Sequence, residues 1–209
     1  MRISSLVILC LALAASPAWA SSWSYDNGPI NGTVDAWTIN FGYIVSDSFT
    51  AGGTVNRFEF GVWEFPGDVL SSVDWSITSL ENGGTVYGNG TASGANLTDQ
   101  FLHTNPSGYY IDLITVTGLN VSNPGGMLWL NLWNAVVPSG DPVFWDENSG
   151  VGCGGAGCPS LASESAVGTI PSEAFTISGG QSTTPEPSSI MLFGSGILGL
   201  AGLLRRKLL

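Results

Sequence analysis

Three carboxylates stand close together in "SGDPVFWDENSG", residues 139–150: Asp141, Asp146 and Glu147. Acidic side chains on a turn-rich stretch offer the hard oxygen ligands that Ca2+ takes, and Asp68 or Asp74 of "FPGDVLSSVDW" could join them. The spacing is not that of the twelve-residue calcium loop, which places ligands at alternate positions and a glutamate at the twelfth. Solvated turn carboxylates are the alternative reading. The same stretch carries Trp145, and "LWLNLWNAV" carries Trp129 and Trp133. Exposed aromatic rings flanked by Asp or Asn form platforms for sugars, so these three tryptophans are candidates for a glycan surface, with Trp63, Tyr109 and Tyr110 as further ones. Alternation puts Trp129, Asn131 and Trp133 on one strand face and Leu128, Leu130 and Leu132 on the other. One face must be core; the other is a second buried layer or a displayed aromatic row.

Other chemistries find few residues to use. Cys153 and Cys158, in "CGGAGC", are expected to form a disulfide, because zinc wants four ligands and the chain has one histidine, His103. That single histidine also leaves no second base for a Ser-His-Asp or Cys-His arrangement. Residues 21–183 contain no lysine, so no phosphate-cradling loop ends in one. A glycosidase needs two facing carboxylates, and the many acids leave such a pair open. Adjacent Asp146 and Glu147 should point apart on an extended chain, which argues against that pair. The expectation is a protein that is not an enzyme.

Charge narrows the partners. Of five basic residues, Arg2 lies at the start and Arg205, Arg206 and Lys207 at the end. Arg57 alone remains in the body, against fifteen Asp and Glu from Asp26 to Glu173, a balance of −14. Such a surface repels phosphate backbones and excludes nucleic acid. Divalent cations, neutral polysaccharides and basic partners suit it.

These residues must be positioned by an exported, all-β body. Arg2, the apolar run Leu6 to Ala15 and Ala18-Trp19-Ala20 read as a signal peptide over 1–20. Residues 21–180 show period-two alternation, as at Phe58, Phe60 and Val62, and at Val73, Trp75 and Ile77. "WTINFGYIVSDSFT" continues it through Trp37, Ile39, Phe41 and Tyr43. "ENGG" (81–84) predicts a hairpin turn, and "YYIDLITVTGL" and "MLWLNLWNAVV" predict a paired set of strands. About eight short strands between Gly, Asn, Pro and Asp turns predict an antiparallel two-sheet sandwich, jelly-roll-like, as one domain.

Beyond it, 181–187 is a polar linker ending in Pro185-Glu186-Pro187. Residues 188–204 form an uncharged segment long enough to span about 25 Å as a helix. Its eight Leu, Ile and Phe residues favour insertion by only about 4 kcal/mol in total, and four glycines dilute that. The basic tail 205–209 would be held on the cytoplasmic side.

A leading signal peptide, Pro185-Glu186-Pro187, a glycine-dotted apolar helix and Arg205-Arg206-Lys207 together resemble the PEP-CTERM sorting signal of Gram-negative bacteria. The same region is also labelled an ice-binding-protein C-terminal motif. The resemblance implies recognition by an exosortase, a membrane cysteine protease-transpeptidase, with processing near Pro185-Glu186-Pro187. It implies a transient stay in the inner membrane, then delivery to the cell surface or an exopolysaccharide matrix. The body, with "FGVWEFPGD" and "DPVFWDENSG", is similar to uncharacterised proteins carrying this tail, and that similarity brings no activity with it.

Overall fold

Side chains that alternate between apolar and polar give each strand one greasy face, and two sheets bury those faces against each other. The structure, a computed structural model, describes residues 22–50, 52–148 and 160–180. One sheet holds β1 (Ser22–Asp26), β2 (Ala36–Thr38), β4 (Thr54–Glu64), β7 (Leu97–Thr104), β8 (Tyr110–Val116), β10 (Phe144–Asp146) and β13 (Phe175–Gly180). The other runs in the order β12 (Gly168–Ile170), β11 (Ala162–Glu164), β3 (Ile44–Thr50), β9 (Met127–Val136), β5 (Ser72–Leu80) and β6 (Gly83–Ser93). All pairings are antiparallel, and these residues lie in one compact unit, Ser21–Gln181.

β4 is the axis of the first sheet. One of its edges pairs with β8, which in turn pairs with β7. Its other edge is shared end to end: β13 runs along Thr54–Phe60 and β10 meets Val62 and Trp63. Phe58, Phe60 and Val62 of β4 point inward with Ile114, Val116, Phe175 and Ile177, and meet Val45, Phe49, Val73, Ile77, Leu128, Leu130 and Leu132 from the second sheet. Trp145 sits inside this layer with no exposed surface. Its ring stands edge-on to Phe60 and Phe175, with centroids 5.9 and 5.7 Å away, and its Nε1 donates to the Ala174 carbonyl at 3.1 Å.

The all-β, two-sheet expectation is met, and the Glu81-Asn82 turn joins β5 to β6 as a hairpin. Two local expectations are corrected. The strands of "YYIDLITV" and "MLWLNLWNAV" do not pair: β8 belongs to one sheet and β9 to the other, because the connection crosses the sandwich. The alternation through Phe41 and Tyr43 also stops being a strand. Tyr43 N–H donates to the Asn40 carbonyl, Phe41 has φ 56° and Gly42 φ 89°, and this tight turn carries the chain from β2 in one sheet to β3 in the other.

Among the described residues no helix is long and apolar enough to cross a membrane. The signal peptide 1–20, Cys153 and Cys158, the linker 181–187, the apolar segment 188–204 and the tail 205–209 lie outside the described residues.

The Trp145 ring fills the layer between Phe60 and Phe175, so Trp145→Ala should lower unfolding free energy by about 3–5 kcal/mol in chemical denaturation. A loss below about 1 kcal/mol would show that the ring is not part of the packed interior.

Candidate functional site

The pleat that sends Phe58, Phe60 and Val62 into the core sends Glu64, the last residue of β4, to the same side. On β8 the inward phase of Val116 and Ile114 continues to Asp112, and on β7 that of Leu97 continues to Asp99. Val62 stands opposite Asp112, and Asp99 opposite Ile114, so the three acids occupy diagonal positions on neighbouring strands. Glu64, Asp99 and Asp112 each place a carboxylate oxygen within 4.8 Å of the other two.

A fourth acid is delivered by the loop after β4, in "EFPGD". Asp68 N–H donates to the Phe65 carbonyl at 3.0 Å, with Pro66 and Gly67 at the corner. Gly67 has φ 95°, the left-handed value that the third position of a Pro-Gly turn requires. The loop is tied down where Leu70 N–H donates to Asp99 Oδ2 at 2.6 Å. Together Gly67, Asp68, Val69, Asp99, Phe101, Tyr110 and Asp112 line an open pocket of about 250 Å³. Phe101 and Tyr110 meet edge to face there with centroids 4.8 Å apart, and Phe101 is 53% exposed.

The electrostatics of this cluster are lopsided. Glu64 is 0% exposed and Asp112 2% exposed. Both Glu64 oxygens, Asp112 Oδ1 and Asp68 Oδ2 are buried without a hydrogen-bond partner. Burial, then the neighbouring charges of Asp99, Asp112 and Asp68, push the Glu64 carboxyl up to about 8. Burial and then Asp99 push Asp112 up to about 7, and burial raises Asp99. Arg57 is the only Arg or Lys among the described residues, and it is paired with Glu59. Such a group can retain protons or accept an oxygen-seeking cation.

The acids singled out in the sequence have other fates. Asp141, Asp146 and Glu147 do not converge as Glu64, Asp99 and Asp112 do. Asp146 is fully buried, but its oxygens are taken: Asn31 and Gly32 N–H donate to Oδ2 at 3.0 and 3.2 Å, and Trp63 Nε1 to Oδ1 at 2.7 Å. Glu147 follows it on extended chain, forming a backbone bridge with Glu173. Asp141 lies past the Val137–Gly140 turn, where its carbonyl accepts from Asn40 Nδ2 at 3.0 Å. Of the two further donors, Asp68 joins the pocket, while Asp74 accepts from Thr91 and Asn134 and stays away from it.

Trp145 offers no stacking face, being wholly interior. Leu128, Leu130 and Leu132 prove to be the core side of β9. Trp129, on the other side, retains only 6% exposure, and Trp133 is half-buried. Between them Asn131 is a buried hub that accepts from Ser46 Oγ and Asn82 N–H and donates to Ser76 Oγ and Thr78 Oγ1. The less buried rings gather around Tyr109 instead, with Trp63, Phe65 and Phe144 at 5.6, 5.1 and 5.9 Å. His103 is exposed and its Nε2 contacts the Asn31 carbonyl.

A second acidic set is satisfied at Asp47 but not at Glu173, whose two carboxylate oxygens are also buried without a hydrogen-bond partner. Asp47, 0% exposed, accepts from Glu173 N–H at 2.6 Å, from Ser172 Oγ at 3.2 Å and from Ser160 Oγ, yet burial still pushes it up to about 7. Glu173 is wholly buried and raised by burial and then by Asp47.

Glu64, Asp99 and Asp112 were missed in the sequence, although a signal existed. An acid in the apolar phase of a strand, as in F-E-F-G-V-W-E, is a buried acid by alternation alone. That three such acids share one end of one sheet depends on strand pairing.

Comparison with known proteins adds one finding in the stretch outside the described residues. The PEP-CTERM protein-sorting motif matches residues 183–207. No curated protein matches the chain.

Because Glu64, Asp112 and Asp47 bind protons more tightly folded than unfolded, folding takes up protons between their unfolded values, 3.8–4.5, and about 7–8. Their contribution to stability is therefore greatest at acid pH and declines as pH rises through that window. In chelator, the melting temperature should fall from pH 5 to pH 8. A rise over that interval would contradict the burial of these carboxyls.

Proposed function

We propose that this chain is an exported bacterial surface or extracellular-matrix protein, sorted through its C-terminal motif and displaying the β-sandwich as a non-catalytic module. The PEP-CTERM match over 183–207 carries this reading. The motif points to an exosortase as the processing partner, acting near Pro185-Glu186-Pro187. In this reading residues 188–204 sit briefly in the inner membrane with Arg205, Arg206 and Lys207 on the cytoplasmic side. A short, glycine-diluted segment suits a stay that ends in removal. The body then works in an oxidising compartment, where a Cys153–Cys158 disulfide would persist. Its single Arg and many carboxylates favour solubility and divalent bridging within a matrix.

A second reading is a glycan-binding module of the exopolysaccharide matrix. The rings of Trp63, Phe65 and Phe144 around Tyr109 favour it, since half-exposed aromatics supply the flat apolar area that sugar faces need.

Two measurements test these readings. Glu186→Ala should abolish processing and surface release, leaving the chain in the inner membrane; unchanged processing and release would remove the sorting reading. The full chain should be retained on the producer's own exopolysaccharide at low salt if the glycan reading holds, with Tyr109→Ala weakening retention at least tenfold. No retention would remove it.

A further inference from the structure

The geometry points to a calcium site formed by Glu64, Asp99 and Asp112 at the ends of β4, β7 and β8, closed by Asp68 from the Pro66-Gly67 turn. Four carboxylates supply up to eight oxygens, the number that Ca2+ coordination spans, and the donor set contains no nitrogen or sulfur. Ligand oxygens about 2.4 Å from one ion lie at most about 4.8 Å apart across it, and the Glu64, Asp99 and Asp112 oxygens fall within that limit.

An acidic cluster alone would be ordinary. Here an independent feature marks it: Glu64 is completely buried, and neither of its oxygens has a hydrogen-bond partner. Asp112 Oδ1 and Asp68 Oδ2 are likewise buried without a partner, and Asp68, Asp99 and Asp112 line the adjoining pocket. Buried polar atoms normally find partners, and the contrast within this fold is direct, because Asp146 is fully buried and accepts three donors. Among the described residues no Arg or Lys side chain takes that role, since Arg57 is committed to Glu59. A divalent cation held between Glu64, Asp99 and Asp112 gives the orphaned Glu64 and Asp112 oxygens a partner and replaces mutual repulsion with attraction.

The surroundings fit the role. The Leu70 N–H bond to Asp99 Oδ2 holds the closing loop, so Asp68 is presented from a constrained turn. The pocket is open to solvent beside Phe101 and Tyr110, giving the ion a route in. Ca2+ is favoured over Mg2+, because Mg2+ keeps several waters and demands a strict octahedron, whereas crowded carboxylates suit a larger, flexible shell. Loading outside the cell, where affinities of about 10⁻⁴–10⁻³ M suffice, rests on the export reading; the site itself does not.

The test uses the full chain in detergent at pH 8. CaCl2 at a hundredfold over its Kd should raise the melting temperature by about 5–10 °C relative to chelator. Terbium, a calcium surrogate, should give luminescence sensitised by nearby aromatic rings such as Tyr110, displaced by Ca2+ in competition. Glu64→Gln and Asp112→Asn should abolish both responses, whereas Asp74→Asn keeps them. In chelator, Glu64→Gln should melt no lower than the parent, because a buried charge is gone. Absence of both the melting shift and the terbium signal in the parent chain would overturn the site, as would a full response in Glu64→Gln or Asp112→Asn. If one variant fails to fold, Asp99→Asn and the parent's competition curve still decide. Failure of Glu186→Ala to alter sorting would leave this result untouched, so the two readings stand or fall separately.

Discussion

Burying carboxylates with almost no cations to meet them is the constraint around which this sandwich is organised. Removing a carboxylate from water is costly unless donors or an opposite charge replace its hydration. The described residues hold one Arg and no Lys, so ion pairing cannot be the general solution. Asp146 and Asp47 are met instead by backbone N–H, indole and hydroxyl donors drawn from chain segments far apart in sequence. Those bonds tie loops to sheets and help fix how the elements close. At Glu64, at Asp112 Oδ1 and at Glu173 the donors are missing, and of these only Glu64 and Asp112 converge with a further acid. That asymmetry separates a carboxylate serving architecture from one left for something else.

The site follows from the same rule that makes the core. Strand alternation decides the inward face, and β4, β7 and β8 keep that phase past the point where apolar residues end. Their inward positions then carry acids at the mouth of the sandwich rather than in its middle. The Pro66-Gly67 turn folds the next segment over this mouth, and Leu70, itself core, anchors it. Packing therefore places the cluster, while desolvation gives it its high proton affinity.

This electrostatic character is compatible with work outside a cell. An acidic body with few cations repels other polyanions and attracts divalent cations. Carboxylates that resist ionisation when alone become favourable ligands where divalent cations are plentiful. The sorting motif at 183–207 concerns where such a body is delivered, and the β-sandwich concerns what it does on arrival.

Much of this was legible in the residues themselves. Alternation at Phe58, Phe60 and Val62 revealed β4, the leucine face of β9 revealed a core side, and Pro185-Glu186-Pro187 with its basic tail revealed the sorting motif, because each is a local pattern read within one element. The acid-bearing stretch 139–150 attracted attention by composition, yet Asp146 turned out to be spent on Asn31, Gly32 and Trp63, partners remote in the chain. Trp145 looked like a sugar platform by type and became core by position. Glu64, Asp99 and Asp112 looked unremarkable because they are 35 and 13 residues apart, and only antiparallel pairing of β8 with both β4 and β7 brings them to one place. Sequence alone determined periodicity, charge and the sorting motif, since these depend on neighbours along the chain. Tertiary structure decided which carboxylates are satisfied and which converge, since hydrogen-bond partners and burial depend on neighbours in space.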